Sequence, residues 1–266
     1  EQQSVNGRLC AEITAFIRKH DPAGVTISVG GEIGEVGGKN STAEELTAFV
    51  EVFRAQLAKL APGKPGMSKI SIQTGTSHGG VPLPDGTVAK VKLDFDTLQA
   101  LSRLAREKYG FAGAVQHGAS TLPSELFGEF TKRGTCEIHL ATEFQNMIFD
   151  HPAFPAELKK DIYDELRVSE AAERKPTDTD EQFFYKVRKK ALGARKLELW
   201  SLPAEVRAAI GATLEARFTF LLTQLHAQDT RKRAAEHAPF VAGSFPTFAE
   251  TIGATHGPED VSGLSD

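Results

Sequence analysis

The chain holds 266 residues, with 31 Lys and Arg against 35 Asp and Glu, a formal net charge of −4 and 40% hydrophobic residues. Such a length accommodates one large domain, or a domain with an appended tail, and the hydrophobic share excludes wholesale disorder. The slightly acidic balance argues against a dedicated nucleic-acid binder, and no apolar run approaches the roughly 18 residues of a membrane-spanning helix.

From the N-terminus, residues 9–19 set Leu9, Ile13, Phe16 and Ile17 at helical spacing, and His20-Asp21-Pro22 stops that helix. Residues 25–29 (VTISV) predict a short strand, followed by a glycine-rich loop over 30–38 (GGEIGEVGG). Ser41 and Glu44 read as the capping box of a helix with Leu46, Phe49, Val50, Phe53, Leu57 and Leu60 at its apolar positions, ending at Pro62-Gly63. The cycle repeats with strand 69–74 (KISIQT), loop 75–80 (GTSHGG) and helix 95–109, capped by Gly110. Strand 111–115, turn 116–120 (QHGAS) and helix 123–132 follow, then strand 135–140 (TCEIHL) and a helix from about 143. This βα rhythm predicts a parallel sheet covered by helices. From about residue 155 the strands stop. Residues 156–171 and 204–227 predict amphipathic helices, 169–181 a charged linker, and 238–266 an irregular tail.

In parallel α/β folds the chemistry gathers on loops at the carboxyl ends of the strands. Here the first loop carries Glu32 and Glu35 among glycines, and the second carries His78 and Gly79. The third carries His117, Gly118 and Ser120, and the fourth carries His139, Thr142 and Glu143. Three histidines and a carboxylate at such positions suit a divalent metal with imidazole ligands, zinc above all. Glycines beside His78 and His117 leave backbone N–H groups open to an anion such as phosphate. Each residue also has an ordinary reading: a hydrogen-bonded histidine at a strand end, a carboxylate at a helix terminus, a flexible glycine loop. No G-x-G-x-x-G or P-loop spacing occurs, which disfavours dinucleotide binding. Cys10 and Cys136 make no disulfide framework and suit a reducing cytoplasm, and no signal segment opens the chain.

Taken in order, GGEIGEVGG, GTSHGG, QHGAS and EIHLATEFQ resemble the class II fructose-bisphosphate aldolases, zinc-dependent (β/α)8 TIM-barrel enzymes, over roughly residues 10–150. The resemblance implies that His78 and His117 ligate zinc and that Glu32 serves an alternative or second metal position. It assigns Gly79, Gly118, Ser120 and Thr142 to a substrate phosphate, helped by a monovalent cation. The implied reaction is aldol cleavage or condensation through a zinc-stabilised enediolate of dihydroxyacetone phosphate. The expected partner is therefore a phosphorylated sugar, with no nucleic acid or membrane, in a cytoplasmic homo-oligomer such as a dimer.

Two features depart from the family. Its Asn and Asp on the last strand are replaced by His139 and Ala141, so His139 is expected to contact the substrate or to become a third zinc ligand. The family's upstream Asp base and further zinc-binding His have no counterpart. His20-Asp21 precedes a strand and so belongs to the stability face. Four βα units are counted where a closed barrel needs eight. With Glu1 in place of an initiating Met, that leads to the expectation of the C-terminal part of a longer aldolase-like protein. The expected division is 1–155 for the barrel part, 156–237 for a helical extension and 238–266 for the tail. A catalytically inactive interaction or assembly module, or a metal-dependent lyase of other specificity, are the rival readings. Residues 183–197 are basic, and a solvated helix face is favoured there over a distal phosphate site.

Overall fold

The computed structural model describes residues 2–35, 37–76, 82–84, 88–89 and 93–240. The chain forms two compact units, 1–228 and 229–266. The first opens with α1 (Gln2–His20), β1 (Gly30–Glu32), α2 (Ala43–Leu60), β2 (Lys69–Ser71) and α3 (Phe95–Tyr109). It continues with β3 (Ala114–Gln116), α4 (Gly128–Lys132), β4 (Glu137–Ile138) and α5 (Thr142–Phe149). The four strands are parallel and lie in chain order, β1-β2-β3-β4. This is the α/β arrangement that the βα rhythm predicts, with half the strands of a closed eight-stranded barrel among the described residues.

Register divides the sheet into two unlike faces. Glu32, Ser71, Val115 and Glu137 stand abreast, so alternation puts Lys69, Gln73, His117 and His139 on their side. The opposite side presents Ile70, Ile72 and Ala114, all buried in a cluster with Phe49, Phe53 and Leu98 of α2 and α3. One face therefore holds the core and the other holds the polar chemistry.

The first strand lies further along than 25–29. Ile27 is bound sideways: its N–H donates to Asp21 and its carbonyl accepts from buried Arg18 at 2.8 Å. Pairing with β2 starts only at Val29, whose carbonyl accepts from the Ser68 N–H. Gly31 then fits because a Cβ there would stand 3.0 Å from the Met67 sulfur and 3.1 Å from Phe49. Arg18 also takes the carbonyls of Pro65 and Gly66, so the His20-Asp21 corner is a structural anchor at the amino ends of the strands.

The capping box of α2 is shifted by one residue, to Thr42 and Glu45. Ser41 instead joins the β2 end, with its N–H on the Gln73 carbonyl and its hydroxyl accepting from the Gln73 N–H, both at 2.9 Å. Helix α3 matches its predicted limits and stops at Gly110, in the left-handed region at φ 70°. The helix expected over 123–132 is a 3₁₀ turn, Ser124–Leu126, followed by the short α4.

Helices α6 (Ala156–Ser169), α7 (Asp180–Val187), α8 (Ala191–Ala194), α9 (Lys196–Trp200) and α10 (Ala204–Gln224) build a second apolar cluster. Phe149, Ile162, Phe183 and Val187 are buried at its centre. Helix α10 serves both clusters, with Ile210 in the helical one and Leu221 in the sheet one. The expected linker 169–181 contains a 3₁₀ turn, Ala171–Glu173, and ends in a second capping box, Thr179 with Gln182, at the start of α7. The basic stretch is not a simple solvated face, because Arg188 is buried and paired with Asp150. The second unit contributes α11 (Arg231–His237), and residues 241–266 of the expected tail lie outside the described residues. Among the described residues no helix is long and apolar enough to cross a membrane.

Candidate active site

Strand ends β3 and β4 bring His117 and His139 together. Their ring centroids are 4.3 Å apart, with the planes tilted by 43°. His139 Nε2 donates to the Glu137 carboxylate at 2.5 Å, and Lys69 forms an ion pair with that carboxylate from the other side. Burial pushes the Glu137 carboxyl up, but the bonds and charges of Lys69 and His139 outweigh it and hold the group below its ordinary value. The polar sheet face thus carries a continuous line from Lys69 through Glu137 and His139 to His117.

A buried hydrogen-bond network sets the position of His117. Gln116 is fully buried; its side-chain oxygen accepts from Thr74 Oγ1 at 2.8 Å and its amide donates to the His117 carbonyl at 2.6 Å. Thr76 Oγ1 donates to the same carbonyl at 2.9 Å. Thr76 and Gln116 stand in the quoted motifs and Thr74 directly precedes one, but none carries a charge, so spacing gave them no role. Once the register puts them on the side away from the histidines, their part is to hold the backbone between β2 and β3.

The phosphate-side residues also gather here. Gly118 is left-handed, φ 69°, and opens the 3₁₀ turn Ala119–Thr121 that contains Ser120. Ser120 Oγ accepts from the Ala141 N–H at 3.2 Å, joining the third loop to the fourth. Thr142 is the first residue of α5, whose N-terminus has no side-chain cap. Open amides at a helix start favour an anion. Glu143 of that first turn pairs with Arg217 of α10 at 2.6 Å.

Glu32 is not part of the histidine group. Its carboxylate accepts from Ser71 Oγ at 3.2 Å and Gln73 Nε2 at 3.0 Å. It lies two strands from His117, about 12 Å between Cα atoms by strand spacing and rise. His78 and Gly79 lie outside the described residues. The loop beyond them is held from the helical region, where Gln182 Nε2 donates to the Pro82 carbonyl at 2.8 Å. Neutral imidazoles are the right donors for zinc, but three protein ligands are the ordinary catalytic minimum. Among the described residues no three His, Cys, Asp or Glu side chains come together for a metal ion.

The described residues thus place paired imidazoles and an open helix start at the carboxyl edge of a parallel βα sheet. Comparison gives the family. Residues 1–192 match the model of the class II fructose-bisphosphate aldolases, and the chain belongs to that family. Among solved structures it is similar to a probable tagatose 6 phosphate kinase from Sinorhizobium meliloti 1021, with 16% identity and a TM-score of 0.52. That likeness covers 89% of this chain and 62% of the other, so the chain spans less than two thirds of that protein's length. At this identity it speaks for the fold alone.

Proposed function

We propose that the chain carries the carboxyl-edge portion of a metal-dependent aldolase site acting on a phosphorylated ketose. The observation that carries the reading is the His117–His139 pair beside the Gly118–Ser120 turn and the uncapped start of α5. Residues 1–155 would hold the reacting groups, and the helices from 156 onward would support them. Zinc at His78 and His117, with Glu32 as an alternative position, would supply Lewis-acid polarisation of the substrate ketone.

The protein's own groups then have separate tasks. Amides at Gly79 and Gly118, the Ser120 hydroxyl and the first turn of α5 at Thr142 would hold the phosphate, with a monovalent cation balancing its charge. His139, whose Nε2 is committed to Glu137, would turn Nδ1 toward the substrate hydroxyls in place of the family's Asn. Gln116 and Thr76 would keep the His117 backbone in register while the substrate binds.

A second reading, a non-catalytic assembly module, takes His139 and Ala141 in place of the family's Asn and Asp as decay of the site. Elemental analysis for zinc, combined with cleavage of fructose 1,6-bisphosphate, tests both readings. Bound zinc that is lost from a His78→Ala/His117→Ala double variant, together with cleavage by the parent chain, is the outcome expected of the aldolase. A metal-free, inactive protein fails it. Inhibition by inorganic phosphate separates a phosphorylated substrate from an unphosphorylated one.

A further inference from the structure

The basic stretch 183–197 is neutralised almost throughout. Lys186 pairs with Asp178, Arg188 with Asp150, Lys190 with Glu170, and Arg195 with Glu165 and Glu198. Lys196 differs: its Nζ lies 4.7 Å from the centroid of the Trp200 ring, and among the described residues it makes no ion pair. Arg207, on the first turns of α10, is likewise without one among the described residues.

Both cations line the same groove of about 580 Å³, whose apolar wall includes Leu192, Leu199, Ile210 and Leu214. Gly193 and Gly211 line it as well, and a Cβ on either would meet nothing within 4 Å. Trp200 stands at this groove 71% exposed, an unusual state for so large an apolar ring. All lining residues except Ile148 and Leu192 lie beyond the segment matched by the aldolase family, so the family's chemistry does not account for the groove.

We propose that this groove binds a single-chain amphiphilic anion, with its aliphatic tail along the apolar wall and its carboxylate between Lys196 and Arg207. Tail burial scales with the apolar area removed from water and sets most of the affinity. Surface cations add a small, salt-screened attraction, which selects the sign of the head group. A cationic amphiphile meets the same wall and two like charges.

Trp200 is the sole tryptophan, so its fluorescence reports occupancy directly. Titration with dodecanoate below its micellar range is expected to give a saturable change, with dodecyltrimethylammonium binding at least about fivefold more weakly. Followed by calorimetry, Lys196→Ala/Arg207→Ala is expected to weaken dodecanoate by about three- to tenfold and to leave dodecanol unchanged. Gly211→Leu, or Gly193→Leu if the first does not fold, fills the groove and should weaken both ligands more than tenfold at an unchanged melting temperature. The proposal is overturned by an absence of saturation, by equal binding of the cationic amphiphile, by a double alanine variant that binds dodecanoate like the parent, or by a folded leucine variant that does so.

Discussion

The sheet-bearing region buries Arg18 and the helical region buries Arg188, and different kinds of partner neutralise them. Arg18 gives its N–H groups to three main-chain carbonyls, of Ile27, Pro65 and Gly66, and to the Asp21 carboxylate. Arg188 gives its own to side chains: Asp150 through both nitrogens, at 2.7 and 2.8 Å, and Asn146 at 2.6 Å. The first arrangement fixes loops at the amino ends of β1 and β2. The second clamps α5, which follows the β4 loop, to the helices behind it. The carbonyls are held in place by the main chain around them, whereas Asp150 is a side chain that is already 53% exposed. The lesson is that equal burial of a cation does not imply equal cost of losing it.

Arg18→Met should therefore have the largest effect, about 4 kcal/mol, because it removes the partner of three part-buried main-chain bonds and of the Asp21 carboxylate, whose side chain is only 16% exposed. Arg188→Met should cost about 2 kcal/mol, since Asp150 rehydrates and the methionine keeps some packing on Phe149. Urea unfolding of the two variants measures both. A larger loss at Arg188 would show that rehydration of the partner does not decide the matter.

Neither arginine's role was legible in the sequence, and the reason is physical. Periodicity reports apolar faces, and α1 buries a small and polar one, Ala11, Thr14 and Arg18, while Leu9, Ile13 and Phe16 face solvent. Signals held in a few adjacent residues were readable: α3 with Gly110, the βα alternation, and the loops bearing His117 and His139. Signals that depend on a partner far along the chain were not. Val25–Val29 has strand composition, but Arg18 and Asp21 take the Ile27 backbone out of the sheet. Ser41 and Thr42 each precede a Glu by three residues, and only the pull of Gln73 on Ser41 decides between the two frames. Glu137 drew no notice beside His139, because a carboxylate two residues away is a neighbour only in a strand.

Each region also has a carboxyl that its cations hold below the ordinary value against burial, which gives a smaller and pH-dependent comparison. For Glu137 and Asp150 alike, burial acts upward, and it is outweighed by Lys69 and His139 in one case and by Arg188 and Lys159 in the other. A depressed folded-state pKa contributes stability that is present above the unfolded value, near 4, and is lost as pH falls through the folded value. Glu137→Gln and Asp150→Asn should each lower stability at pH 7 and flatten its fall below about pH 4.5. Thermal unfolding across pH 2.5–7 reads this. A variant whose acid limb stays as steep as the parent's removes that carboxyl from the acid response.

The smallest difference lies between the two capping boxes, Thr42 with Glu45 in the sheet region and Thr179 with Gln182 in the helical one. Thr42→Ala and Thr179→Ala should each cost about 1 kcal/mol, the usual value of an N-cap hydroxyl. Their partners are not equivalent. Glu45 returns a carboxylate to the Thr42 N–H and meets exposed Lys39, a purely local arrangement. Gln182 uses its oxygen on the Thr179 N–H and its amide on the Pro82 carbonyl, so it also ties α7 to the loop that follows β2. Glu45→Ala should cost about 0.5 kcal/mol, and Gln182→Ala about 1 to 1.5, with the excess coming from the carbonyl left unpaired. If the two truncations prove equal in urea unfolding, the Pro82 bond adds nothing to stability, and the helical region supports the β2 loop by packing alone.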